Sequence, residues 1–348
     1  MGDGPTAASA LRPTLIFALL SLSWVGCSRS SAVDDAQLDR WLEETHIANE
    51  RAREEAGRDE TPPWTLELLG EVDRPETLDW ETLLSLESAS FRGPTHADEE
   101  EAQLTQWRGV RLSALLDRAG VREDAETLTL VAYDGFRATV RVRDARQYPL
   151  ILAYEADGEP LQRELGGPLY AVYPTLGHPE LAEPYDARFW VFYVTQLVVG
   201  TADVSVQVGR TEVERATLDA LPQTHFSADV GYRTGWPVGE VPLRGVRIEA
   251  LLQATGATLP PSGRVRVLSL APISRGDERP TWLSADEIRA SDVMLATHWG
   301  DPLRPIPAAL GGPVVLALPG ELAEARPSHD WLTFVDELSV QGPPEDEP

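Results

Sequence analysis

"WRGVRLSALLDRAG" occupies residues 107–120, and "LRGVRIEALLQATG" occupies residues 243–256. Eight of the fourteen positions are identical, at a constant offset of 136 residues. In the first copy Leu112, Leu115 and Leu116 fall at i, i+3 and i+4; in the second Ile248, Leu251 and Leu252 do the same. That spacing is one apolar face of a helix. Gly120 and Gly256 close the two stretches, where a left-handed cap favours glycine. The pattern predicts one organising helix in each of two copies of a single unit.

Working outward from the motif, the copies keep a common order. Upstream, "LELLGEVDRPETL" (66–78) and "VSVQVGRTEVERATL" (204–218) each read as a strand, a glycine and a turn. Downstream come the strands "TLTLVAY" (127–133) and "RVRVLSL" (264–270). Next are "LAYEADGEPL" (152–161) and "LATHWGDPLRP" (295–305), each a strand running into a Gly-containing turn. "GGPLYAVYP" (166–174) and "GGPVVLALP" (311–319) follow, then "ELAE" at 180–183 and 321–324. Each copy is expected to close on an aromatic-rich strand, around Trp190 and Trp331. Strands outnumber helices and do not alternate with them. The fold class expected is therefore α+β with mixed or antiparallel sheet, duplicated in tandem, rather than a doubly wound parallel sheet.

The expected organisation has five parts. Residues 1–27 form a signal peptide, 28–63 a charged helical tether, 64–203 the first domain, 204–342 the second, and 343–348 a tail. Within 1–27, "TLIFALLSLSWV" (14–25) is too short to span a bilayer comfortably but suits the apolar core of a signal peptide. "WVGC" follows and resembles a bacterial lipobox, with Trp24 in place of the usual leucine. Cys27, the single cysteine, is the expected lipidation site, which would hold the protein to the envelope membrane on its periplasmic side. The signal lacks a twin arginine and reads as Sec-type.

The net charge of −26 weighs against nucleic acid as a partner; it reads first as a solubilising surface, the alternative being attraction of a basic partner such as an envelope protein or a basic electron carrier. One cysteine permits no intrachain disulfide and no cysteine-built zinc or iron–sulfur centre.

Each repeat as a whole is similar to the molybdopterin-binding domain of the sulfite oxidase type. In the first copy the resemblance is carried by "GEVDRPETLDWETLLSL", "WRGVRLSALLDRAG", "AYDGFRATVRVRD" and "LAYEADGEPLQRELGGPLYAVYP", in the family's order. The second copy keeps the skeleton but reads "LAPISRGD" where the first has "DGF". The resemblance implies a sulfite oxidase-like α+β fold. In the family's enzymes it also implies molybdenum held by a pterin dithiolene and a protein cysteine upstream of the W-x-G-V motif. Here those segments, 84–106 and 222–242, contain no cysteine. Such enzymes usually leave the cytoplasm folded and loaded, by the twin-arginine route. Both departures lead to the expectation of no catalytic residue and no bound metal. Molybdopterin remains a cofactor by resemblance only.

Other candidates are weaker. "FRATVRVRD" (136–144) alternates, placing Arg137, Arg141 and Arg143 on one strand face as a possible anion site; a solvated face is the competing reading. Asp134-Gly135 and Asp157-Gly158 read as tight turns, and "HADEEE" (96–101) lacks the ligand spacing of a calcium loop. The six histidines form no i, i+4 pair, and His178 and His329 are expected in surface loops. The function expected is a cell-envelope lipoprotein acting as a binding or accessory module, the alternative being a molybdopterin-dependent oxidoreductase with atypical ligation.

Overall fold

The computed structural model describes residues 64–95, 104–163, 166–230, 235–275, 281–326 and 331–342. Cys27, the tether, "HADEEE", His329 and the tail lie outside the described residues.

The first half runs β1 (Leu66–Gly70), β2 (Glu76–Leu78), α1 (Trp80–Ser85), β3 (Ser88–Pro94), β4 (Leu104–Arg111) and α2 (Leu112–Ala119). It continues with β5 (Thr127–Ala132), β6 (Arg137–Arg141), α3 (Val142–Gln147), β7 (Ile151–Ala156), β8 (Glu159–Pro160), β9 (Tyr170–Val172) and β10 (Val194–Val199). The second half runs β11 (Ser205–Val208), β12 (Thr211–Glu214), α4 (Arg215–Ala220), β13 (Gln223–Asp229), β14 (Glu240–Arg247) and α5 (Ile248–Ala254). Then come β15 (Arg264–Ser269), β16 (Thr281–Ser284), α6 (Ala285–Ala290), β17 (Met294–Trp299), β18 (Arg304–Pro305), β19 (Val315–Ala317), α7 (Gly320–Ala325) and β20 (Val335–Gln341).

Each half builds two sheets, and the strand orders correspond. The first half has β2-β1-β10-β5-β6 and β3-β4-β7-β8, with β9 also on β7. The second has β12-β11-β20-β15-β16 and β13-β14-β17-β18, with β19 also on β17. Among the described residues, only the first and last strands of each half pair in parallel, β1 with β10 and β11 with β20; every other pairing is antiparallel. The α+β, sheet-rich architecture agrees with the expected fold class, and the two sheet pairs fit a duplication.

The quoted motif spans a strand as well as a helix. "WRGVR" ends β4 and "LRGVR" ends β14; the helices start only at Leu112 and Ile248. In β4, Trp107 turns inward while Gln106 and Arg108 face solvent. A bulge then shifts the register between Arg108 and Gly109, and between Arg244 and Gly245. At both glycines the neighbouring strand comes so close that a Cβ would fall on its backbone, at the carbonyls of Leu152 and Leu295. Leu112, Leu115 and Leu116 of α2 are buried, as are Ile248, Leu251 and Leu252 of α5. Each such side chain contributes about 1.5–3 kcal/mol of apolar burial. Gly120 is left-handed at φ 67°, as the capping pattern predicts.

The aromatic closing segments differ from expectation. Trp190 and Trp331 are buried outside any strand, and β10 and β20 begin four residues later. Tyr193 and Phe334 take left-handed backbone, φ 52° and 55°, which a strand cannot contain. Their N–H groups donate to the carbonyls of Gly166 and Gly311 instead of to a ladder.

The described residues all fall within one compact unit, so the halves meet. Each has its own apolar core. A small third cluster of Val131, Val198, Ala308 and Phe334 joins them. Among the described residues, no helix is long and apolar enough to cross a membrane.

Candidate functional site

The three arginines singled out on 136–144 do not form one cluster. The strand stops at Arg141 because Val142 and Ala145, both buried, face the core at helical spacing as α3 begins. Arg137 is only 4% exposed; its Nε donates to the Ala309 carbonyl across the seam (3.0 Å), and its guanidinium lies 5.9 Å from the Phe334 ring centre. Its face is covered by the second half. Arg141 and Arg143 are exposed and lie 4.0 and 3.4 Å from the Asp144 carboxylate.

Asp144 itself is buried, and the Tyr185 hydroxyl donates to it at 2.5 Å. That hydroxyl also accepts the Arg141 N–H, at 3.3 Å. Burial, then the hydrogen bond to Asp144, pushes the Tyr185 pKa up to about 12. The second half fastens the same place differently: Arg326 donates to Glu287 at 2.6 Å. Burial opposes ionisation of Glu287, yet the hydrogen bonds from Arg326 and Ser284 outweigh it and hold its pKa below the ordinary value. Each tie binds a late loop or helix to the helix after the β5–β6 or β15–β16 hairpin. With both partners engaged, these pairs read as fastenings rather than reacting groups.

The segments upstream of the motif form β3 and β13, antiparallel to β4 and β14. No cysteine occurs anywhere in residues 28–348. Among the described residues no group of three His, Cys, Asp or Glu side chains is placed to hold a metal. A thiolate-ligated metal does not fit this donor set. The two Asp-Gly pairs are turns. Asp134 accepts the Phe136 N–H at 2.9 Å, and Asp157 (φ 54°) with Gly158 (φ 87°) makes the β7–β8 hairpin loop. His178 lies in a surface loop, edge-on to Tyr148 at 5.1 Å and 3.5 Å from Glu180.

The seam holds polar groups that periodicity did not single out. Gln196 is 2% exposed, and its Nε2 donates to the Leu270 carbonyl at 2.9 Å. It pairs across strands with Glu67. Burial raises the Glu67 pKa, and the charge of Asp336 from the other half adds to it. Burial likewise raises the pKa of Asp336, with Arg275 opposing and Glu337 reinforcing the shift. Glu67 Oε2, Gln196 Oε1 and Asp336 Oδ1 are buried without a hydrogen-bond donor. Glu67 sits inside "LELLG", where the apolar run masks it.

Residues 54–177 match the model of the oxidoreductase molybdopterin binding domain. A curated relative, the "Uncharacterized oxidoreductase YuiH" of Bacillus subtilis (strain 168), is 32% identical over 114 residues, which is 32% of this chain and 58% of the relative's length. The chain thus spans less than two thirds of that relative. The crystal structure of the sulfane dehydrogenase SoxCD from Paracoccus pantotrophus aligns over 70% of this chain and 60% of its own, at 15% identity and a TM-score of 0.33. Residues 54–177, about a third of the chain, are thus similar to the oxidoreductase molybdopterin binding domain.

Proposed function

We propose that the protein is a non-catalytic binding or accessory module of the cell envelope, built on a molybdopterin-binding scaffold and lipid-anchored at Cys27. One observation carries the reading. The only cysteine of the chain is Cys27, so neither segment upstream of the repeated motif offers a thiolate to a soft metal. On this reading the partner is a basic envelope protein or electron carrier, drawn by the net charge of −26. The domains are 64–203 and 204–342, with residues 28–63 as tether.

The family match favours a second reading, a molybdopterin-dependent oxidoreductase with atypical ligation. Elemental analysis of protein purified from its native host separates the two. The accessory reading expects molybdenum far below one atom per chain and no pterin fluorophore released on denaturation. Stoichiometric molybdenum with a released pterin would overturn it in favour of the oxidoreductase.

A further inference from the structure

We propose that the outer face of the sheet β13-β14-β17-β18 binds a small oxyanion of the phosphate or sulfate type, held by Arg244 between His225 and His298. The strand register places the three together. His225 is opposite Arg244, and Arg244 is opposite His298. Residues directly opposite one another share a sheet face. Leu243 and Val246 on the same strand are buried, while Arg244 and His298 are partly exposed and His225 is exposed.

The first half supplies an internal comparison. At the same register it has Ser90, Arg108 and Glu155. There the arginine is paired, with Nη1 3.3 Å from the Glu155 carboxylate. The second half keeps the arginine and replaces its carboxylate with His298, and replaces the serine with His225. Arg244 Nε is buried without a hydrogen-bond partner. Arg215, from α4, adds positive potential at His298, and among the described residues Asp219 of the same helix acts against it. A row of basic groups without an acidic neighbour in register thus stands out in a chain of net charge −26.

The chemistry follows from the donors. A guanidinium presents parallel N–H groups that match two oxygens of an oxyanion, and each protonated imidazole adds a charged donor. The Thr297 hydroxyl occupies His298 Nδ1 at 2.9 Å, so Nε2 is the nitrogen left for a ligand. The acidity of the rest of the surface repels a long polyanion, which limits the ligand to a small one. The groups facing His298 are Arg244 from β14 and Arg215 and Asp219 from α4, with His225 beyond Arg244 on β13. Burial, then Arg244 and Arg215, holds the His298 pKa below the ordinary histidine value. A bound anion offsets those charges, so binding is linked to proton uptake and tightens as pH falls. The site is independent of whether the first half carries a cofactor.

Titration calorimetry of the full chain with inorganic phosphate, and separately with sulfate, tests this. Wild type is expected to bind one anion per chain, more tightly near pH 6 than near pH 8. Arg244→Gln should weaken binding about tenfold or more, the loss of a charge-assisted hydrogen bond. His298→Glu restores the pairing of the first half and so folds by precedent; it should abolish binding. Arg108→Gln should leave it unchanged. No saturable binding of either anion to wild type, or unchanged affinity in both Arg244→Gln and His298→Glu, would overturn the site. Loss in Arg108→Gln alone would move it to the other half and overturn this assignment.

Discussion

At the scale of single residues, one location in the two halves is fastened by different chemistry. Asp144 meets the neutral Tyr185 hydroxyl, and Glu287 meets the charged Arg326. Tyr185→Phe would take the short hydroxyl contact from the Asp144 carboxylate, leaving it the two arginines at 3.4 and 4.0 Å, and would leave the Arg141 N–H without that acceptor. The expected cost is about 1–3 kcal/mol, the penalty of an unsatisfied buried polar group, read as a lower urea midpoint at unchanged m-value. Neither partner is legible as such in the sequence. Asp144 follows an alternating run and reads as the end of a strand, and Tyr185 lies far along the chain. The same holds for His225, Arg244 and His298, which only register brings into line. The repeat did contain a signal: aligning its copies sets Glu155 against His298 beneath a shared arginine.

At the scale of elements, the motif's glycine decides how closely two strands run. In β14 the bulge brings Gly245 against β17, and Gly109 of β4 makes the same approach to β7. Gly245→Ala forces a methyl group onto the Leu295 carbonyl. It should cost about 1–3 kcal/mol, as overpacking of a filled interior does, and lower the thermal midpoint, with Gly109→Ala behaving alike. Elements with a clean period were legible: the leucine faces of α2 and α5, and the strands at 127–132 and 264–269. The aromatic closing segments were not. Hydrophobic composition in 189–194 suits a strand, but the left-handed turn at Tyr193 is set by a hydrogen bond to Gly166, a contact no local pattern encodes.

At the scale of the whole molecule, the halves are joined by a few apolar residues and several long-range polar contacts. Gln196 reaches Leu270 and Arg137 reaches Ala309, while Glu67 and Asp336 repel across the seam. Raised carboxyl pKa values mean the folded state holds protons that the unfolded chain has already lost. That contribution is present at acid pH and fades as pH climbs from the ordinary carboxylate range through the raised values. Glu67→Gln removes the repulsion and places a neutral amide of the same size beside Gln196. Its stability relative to wild type should therefore improve as pH rises from about 4 to about 7, measured as the difference in urea midpoints. A difference independent of pH would show that Glu67 does not titrate there. The seam was illegible in sequence because its residues are buried by the partner half, not by their own strand's periodicity.

The parallel pairing of first strand with last has a mechanical consequence. The chain enters each half at one pole of that strand pair and leaves at the other, Gly70 lying beside Val199 and Val208 beside Leu338. Tension along the polypeptide therefore slides the two strands past each other and loads their hydrogen bonds together, instead of peeling them apart one at a time.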